Sequence, residues 1–344
     1  MQVPRGDGTQ GKGSGTHLSK ETLDILNAAD LSGKTILVTG TTHGLGTAVS
    51  KQILTRKADR LIMGVRNVPQ GVEFKKQLLS DPAVMAVNPN CTIDVFELEM
   101  EDYKSIQAFA AQVYETTPAL DVAIMNAGVG GFYYNIAKST GHERMLQIDV
   151  LSTAYLTIKL VPLLEKAATL KNVPSRLLII GSYMQFDNSI AEQKLTHNII
   201  KYLDDKANFD PRRYSDAKFL LSLVTKELGS RLDKGKVIVV EPTPPWTATN
   251  FESNYPDGPE KDEARKLIRD IGLPADEASL TYIVAIIGDD DVHGQFLDDN
   301  MIALRHPYAL SSEGRILQKE LWKEMVNEFK EIDPSISAVS IVNQ

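Results

Sequence analysis

From Lys34 onward the chain alternates short apolar runs with longer stretches in which apolar residues recur every three or four positions. Short apolar runs bounded by turn residues read as strands buried on both faces, and the spaced pattern reads as amphipathic helix. The runs fall at Thr35 to Val38, Arg60 to Val65, Thr92 to Glu97, Val122 to Met125, Arg176 to Ile180 and Lys236 to Val240, with a last one at Gln295 to Asp298. Ile106, Phe109, Ala110 and Val113 keep helical spacing, as do Leu220, Leu221, Val224 and Leu228, and a long amphipathic helix runs from Gly314 to about Lys330. This alternation predicts a doubly wound parallel sheet of the α/β class, a Rossmann fold, in a single domain over 31–335 closed by a C-terminal helix.

One stretch breaks the rhythm. Tyr183 to Arg213 is far longer than an ordinary connection and carries Phe186, Ile190, Ile199, Ile200, Tyr202 and Phe209. It reads as a lid insertion, about 183–213, over the carboxyl edge of the sheet. Residues 1–30 start polar and glycine-rich and read as a flexible tail, and 336–344 read as a second tail. Gly11, Gly13 and Gly15 alternate without a preceding strand, so they read as linker and not as a phosphate loop.

Composition narrows the function. With 42% apolar and 24% charged residues the chain has ample core material, which excludes a fibrous or largely disordered protein. The 37 basic and 45 acidic residues give a net charge of −8, with no basic footprint for nucleic acid or an anionic membrane. A small-molecule partner is expected, with no nucleic acid and no membrane. The start lacks the apolar stretch of a signal peptide or spanning helix. The one cysteine, Cys91, cannot close an internal disulfide, which suits a reducing, cytoplasmic setting. His17, His142, His197, His293 and His306 lack metal-ligand spacing, and the run Asp289 to Asp291 lacks the Gly and Glu of a calcium loop, so no metal is expected.

The first strand runs into Thr39-Gly40-Thr41-Thr42-His43-Gly44-Leu45-Gly46, and a helix follows. Glycines there permit a tight turn and close backbone approach, while unpaired N–H groups at the helix start suit a pyrophosphate. Gly40, Thr42, His43, Gly44, Leu45 and Gly46 are therefore candidate dinucleotide ligands. Sites that prefer NAD place an acid about 20 residues on, at the end of the second strand. Here that end reads Gly64-Val65-Arg66-Asn67. Arg66 can fork onto a 2′-phosphate that no carboxylate repels, so NADP(H) is the expected cofactor.

Tyr214-Ser215-Asp216-Ala217-Lys218 opens a helix, and the spacing of four sets phenol and ammonium on one face. A nearby positive charge lowers the pKa of a phenol, which would let Tyr214 exchange a proton with a carbonyl oxygen. Ser182, at the carboxyl end of a strand, can hold that oxygen.

Taken together, Thr39-Gly40-x-x-x-Gly44-x-Gly46, Asn126-Ala127-Gly128, Ser182 and Tyr214-x-x-x-Lys218 resemble the short-chain dehydrogenase/reductase family, in order and at about its spacing, from Leu31 to Gln295. Arg66, the insertion and the segment from Gly294 to Trp322 look like the retinol-dehydrogenase-like branch and its fungal secondary-metabolism members. The resemblance implies that Tyr214 is the acid–base catalyst, that Lys218 lowers its pKa and binds the nicotinamide ribose, and that Ser182 positions the substrate oxygen. It implies that Asn126 lines the cofactor pocket, that Glu99 falls beside the adenine, and that Thr249, or else Thr247, touches the carboxamide or phosphates. It further implies a homodimer through the helices near Met145 to Leu164 and Tyr214 to Arg231, although branches with an extended carboxyl tail can be monomers.

Two positions depart from the family. Asp149 replaces an Asn that supports a water relay behind the Lys, and Pro244-Pro245 replaces a Pro-Gly, which alters the loop before Thr249. The expected function is NADP(H)-dependent reduction of a ketone or aldehyde on an apolar small molecule, or the reverse oxidation, within secondary metabolism. The departures leave a redox-neutral isomerase or cyclase as one alternative, and a silent dinucleotide-binding protein is another.

Overall fold

A computed structural model describes residues 1–6, 18–249, 251 and 257–343. The elements follow as α1 (Lys20–Ala28), β1 (Thr35–Thr39), α2 (Gly44–Thr55), β2 (Arg60–Val65), α3 (Val68–Ser80), α4 (Pro82–Val87), β3 (Thr92–Glu97), α5 (Tyr103–Thr116) and β4 (Val122–Met125). A π-turn segment (Leu146–Ser152) then runs into α6 (Thr153–Lys171), followed by β5 (Ser175–Ile179), α7 (Ser189–Gln193), α8 (Ile199–Asp204), α9 (Arg213–Arg231) and β6 (Val237–Pro242). The chain ends through β7 (Thr247–Ala248), α10 (Pro259–Ile271), β8 (Leu273–Pro274), α11 (Ala275–Ala278), α12 (Leu280–Ile287), β9 (Gln295–Asp298), β10 (Met301–Ala303), α13 (Pro307–Leu310) and α14 (Ser312–Ile332).

The main sheet has eight strands in the order β10-β9-β6-β5-β4-β1-β2-β3. Its pairings are parallel apart from β10, which turns back on β9. That turn uses Asp299 and Asn300, both at positive φ, the conformation a two-residue hairpin demands. Strand side chains alternate between two layers, as the period of two requires. Leu37, Ala123, Leu177, Ile179, Val237 and Val239 face α5, α6, α9 and α14, whereas Ile36, Val38, Ile124, Leu178, Ile238 and Val240 face α2 and α12. β1 lies between β2 and β4, so the strand order reverses there and opens a crevice at the carboxyl ends. The segment from Leu146 to Lys171 is long and apolar enough to cross a membrane, yet it is buried inside the fold.

The expectations for the two termini change. Residues 1–30 are not wholly a flexible tail. Val3 is buried, Gly6 N–H donates to the Ile302 carbonyl at 2.9 Å and Ile302 N–H donates to the Pro4 carbonyl at 2.8 Å, so the chain start covers the β10 edge. Helix α1 follows, its N-terminus capped by Ser19. The stretch Gly11 to Gly15 and His17 lie outside the described residues. Residues 336–343 are likewise docked, because Ile336, Ile341 and Val342 bury their side chains in the main core.

The insertion is built as α7, α8 and two short turns, with Ile190, Ile199 and Leu203 buried. Glu324 on α14 accepts from the first two N–H groups of α8, at 3.1 and 3.0 Å, doing what an N-cap side chain does. Finally, the face of α6 and α9 implied as a dimer surface is covered by the chain itself. Arg231 on α9 stacks over Trp322 of α14 at 4.7 Å, and Phe329 of α14 packs on Tyr155 of α6 with ring centroids 5.1 Å apart.

Candidate active site

The glycine turn at the end of β1 is forced by geometry. Gly40 and Gly44 have positive φ, and a Cβ on Gly46 would run into the Gly40 carbonyl and lie 2.8 Å from Asn126 Nδ2. Asn126 locks this junction: Nδ2 donates to the carbonyls of Thr39 at 2.9 Å and Gly40 at 3.2 Å, and Oδ1 accepts from the Tyr282 hydroxyl at 2.7 Å. The Thr39 hydroxyl oxygen accepts from the N–H groups of Asn126 and Ala127 at 3.0 and 2.9 Å, tying β1 to β4 at the switch point. Thr249 lies against the turn, where a Cβ on Gly44 would meet its methyl at 3.1 Å. Thr247, by contrast, turns its hydroxyl back to the Pro245 carbonyl at 2.7 Å.

The remaining cofactor candidates line the same edge. The Thr42 hydroxyl is 3.1 Å from His43 Nδ1, and His43 Nε2 is 3.1 Å from the Gln70 amide, so α3 holds the ring. Leu45 is half-buried and packs on the core. Arg66 is exposed just past β2, and no carboxylate pairs with it among the described residues. Glu99 accepts from the Glu101 N–H at 3.0 Å and lines an open cleft of about 510 Å³ with Arg144, Asn135 and Lys138. The residues fit a dinucleotide: a glycine cradle that a side chain would fill, an open helix start, and an unpaired guanidinium one strand away.

The chemical residues converge from three elements. Ser182 lies just past the end of β5 and starts a short turn, its hydroxyl accepting from the Met184 N–H at 3.2 Å and near enough to the Tyr214 phenol to favour its ionised form. Tyr214 and Lys218 share one face of α9, with the Lys218 ammonium 5.7 Å from the Tyr214 ring centre and donating to the Ile180 carbonyl at 2.9 Å. Asp149, in the π-turn segment, is 1% exposed. Its Oδ1 accepts from the Val129 N–H at 2.9 Å, while Oδ2 has no hydrogen-bond partner among the described residues. Gly128 leaves the opening between them, since a Cβ there would lie 2.9 Å from Asp149 Oδ1 and 3.8 Å from Lys218 Nζ.

The electrostatics depart from the expectation drawn from spacing. Burial pushes the Tyr214 phenol up, the Asp149 charge adds to this, and the Ser182 hydroxyl opposes it. The Lys218 ammonium is pulled below its usual range by burial, with Asp149 and then Glu241 holding it back. Burial pushes Asp149 up to about 7 against the pull of Lys218. The net shift of the phenol is upward because burial and the Asp149 charge prevail over what favours the phenolate.

The sequence reading missed Glu241, Arg305, Gln185 and Tyr282. A charged residue inside the apolar run Val237-Ile238-Val239-Val240-Glu241 was the available signal for the first. Nothing local marks its partner Arg305, which arrives from 64 residues away.

The profile of the short chain dehydrogenase family matches residues 34–186. A short chain dehydrogenase of Arthrobotrys oligospora is 34% identical over 320 residues, covering 90% of this chain and 96% of its own length. The chain belongs to the short-chain dehydrogenase family. It is an oxidoreductase of that family with the Rossmann architecture. The short-chain dehydrogenase/reductase tropG of Talaromyces stipitatus is 32% identical over 308 residues, covering 88% of this chain and 93% of that one. Among solved structures, the RhlG/NADP active-site complex of Pseudomonas aeruginosa superposes with a TM-score of 0.57 at 19% identity, covering 79% of this chain and 96% of that one. An NADH-dependent reductase, A1-R′, complexed with NAD superposes with a TM-score of 0.55 at 16% identity, covering 78% of this chain and 95% of that one. These two likenesses concern the fold alone.

Proposed function

We propose that this short-chain dehydrogenase reduces a ketone or aldehyde on an apolar small molecule with NADPH, in secondary metabolism, the setting that its resemblance to fungal members implies. The observation that carries the reading is the convergence of Ser182, Tyr214 and Lys218, the ammonium 5.7 Å from the Tyr214 ring centre, at the crevice where the glycine turn opens. When bound, the nicotinamide supplies the hydride. Ser182 and Tyr214 present two hydroxyl groups to one carbonyl oxygen, which orients the carbonyl and stabilises the charge that develops on it. A phenol pushed upward stays protonated at neutral pH, so Tyr214 is a proton donor there, which supports the reductive direction. Lys218 keeps a positive charge beside the phenolate that forms. Phe251 stacks near Tyr214, ring centres 5.4 Å apart, and supplies an apolar wall for the substrate.

NADPH is preferred over NADH because Arg66 is exposed just past β2 and, among the described residues, is paired with no carboxylate. Other dehydrogenase-fold proteins carry either cofactor, so the preference rests on this residue.

The test is a fluorescence titration of the full chain with NADPH and NADH, then absorbance decay with a panel of aromatic and aliphatic ketones and aldehydes. Substrate-dependent NADPH oxidation, lost about 10²–10⁴-fold in Tyr214→Phe with cofactor binding intact, supports the reading. Conversion of substrate without net NADPH oxidation would replace it with redox-neutral chemistry.

A further inference from the structure

Behind the catalytic hydroxyl groups lies a buried charged cluster that the mechanism above does not use. Glu241, the fifth residue of β6, is fully buried on the layer that faces α9. Its Oε2 accepts from Arg305 Nη2 at 2.8 Å and from the Ser222 hydroxyl at 2.9 Å, and its Oε1 accepts from the Gln185 amide at 3.4 Å. Arg305 is itself buried and also donates to the Gly294 carbonyl at 3.2 Å and the Ser222 carbonyl at 3.4 Å. An isolated carboxylate in such a place is costly, and only a hydrogen-bonded counter-charge makes it tolerable.

The cluster touches the site twice. Gly181, the residue before Ser182, has no side chain because Glu241 fills that space: a Cβ there would lie 2.7 Å from Oε1. Gln185, which Glu241 also holds, donates to the Ser182 carbonyl at 3.4 Å and closes the turn that Ser182 begins. On the other side, Tyr214, Lys218 and Ser222 follow at intervals of four along one face of α9, so Glu241, bonded to the Ser222 hydroxyl at 2.9 Å, meets the helix one turn beyond Lys218.

We propose that Glu241, clamped by Arg305, is a positioning residue for the reaction, holding the Ser182 turn in register with Tyr214 and supplying the counter-charge that keeps Lys218 protonated. The charged and titratable groups around Lys218 are Asp149 from the π-turn segment, Glu241 from β6, Tyr214 on its own helix, and Arg305 behind Glu241. Asp149 and, to a smaller extent, Glu241 both favour the charged form of Lys218. The catalytic role assigned to Lys218 rests on the function proposed above, but the charge-holding role can be read without turnover.

The experiment compares the full chain with Glu241→Gln, Glu241→Asp and the double variant Glu241→Gln with Arg305→Met. The pH midpoint of Lys218 acetylation by acetic anhydride is followed by mass spectrometry of its peptide, beside thermal unfolding and the pH profile of NADPH oxidation. In Glu241→Gln the Lys218 midpoint is expected to fall by about one pH unit or more, and the alkaline limb of the oxidation profile to move the same way. Glu241→Asp should recover part of both. The double variant, which strands no buried guanidinium, keeps the test alive if Glu241→Gln fails to fold, and its midpoint should also fall. An unchanged Lys218 midpoint in a folded variant lacking the carboxylate overturns the inference. Absence of NADPH oxidation in the wild type would count against the proposed function instead, leaving the labelling result to decide the charge-holding role.

Discussion

Arg66 and Asp149 carry the two residue-scale expectations that separate this chain from a generic dehydrogenase. A guanidinium that pairs with nothing among the described residues is free to meet a phosphate, and a charge-assisted hydrogen bond contributes about 1.5–3 kcal/mol. Arg66→Ala should therefore weaken NADPH binding by about 10- to 100-fold and leave NADH binding nearly unchanged, as read by nicotinamide fluorescence. Equal losses for both cofactors would remove the 2′-phosphate role. Asp149 has its carboxyl raised by burial from 3.8 to about 7, so the folded chain binds a proton there that the unfolded chain has lost. Its contribution to stability is fully present below about pH 4 and disappears as the pH rises through about 7. Asp149→Asn should decline less than the wild type between about pH 4 and 7, in urea melts run across that range, the gap between the two curves being the Asp149 share. The ionised carboxylate also pushes the Tyr214 phenol up, so activity in the wild type should show an inflection near 7 that the Asn variant lacks. Both residues were legible in the chain: Arg66 by the missing acid, Asp149 by its departure from a family pattern. The direction of the Tyr214 shift was not, since spacing along a helix says nothing of what else faces the ammonium.

At the scale of elements, the insertion is fastened by a clasp that draws on three parts of the chain. His142 Nδ1 lies 2.7 Å from Asp204 at the end of α8, and Nε2 lies 3.0 Å from Glu328 on α14, which also accepts from the Tyr103 hydroxyl at 2.6 Å. Burial disfavours the charged ring, but the two carboxylates outweigh it and raise His142 from 6.5 to about 9. The stabilisation is complete below about pH 6.5 and is lost as pH rises through about 9. His142→Gln should cost about 2 kcal/mol at neutral pH, and amide exchange of residues 199–204 should quicken. In the wild type the protection of the same amides, taken relative to the intrinsic exchange rate at each pH, should fall between about pH 6.5 and 9. The insertion was visible in the sequence as an overlong connection with apolar content, but its anchoring was not, because His142, Asp204 and Glu328 meet only after the chain has folded. The π-turn segment at Leu146–Ser152 was invisible for a different reason. It is buried on all sides, Gln147, Asp149 and Ser152 included, so one extra residue per turn leaves no exposed polar face by which periodicity could register it.

For the whole molecule, the deciding element is α14. The parallel strands announced themselves as apolar runs because a strand covered on both faces has few polar positions, and the glycine turn announced itself because only glycine fits there. Which surface α14 would cover could not be read, since its apolar stripe fits any helical groove of suitable shape. In the structure it lies over α9 and α6, placing Leu321, Trp322, Met325 and Phe329 in the core and donating Gln318 Nε2 to Glu227 of α9 at 2.6 Å. A second copy cannot use the same face without displacing it. Sedimentation of the full chain should therefore give a monomer at micromolar concentration, and a stable dimer would have to form elsewhere. Phe329 is fully buried between Tyr103 and Tyr155, so Phe329→Ala should cost about 3–5 kcal/mol. Because α14 also caps α8 through Glu324, that loss should loosen the insertion along with the helix. Limited proteolysis should then cut between residues 187 and 211 well before the melting transition. Cutting confined to α14 would mean that the insertion holds its place through α9 alone.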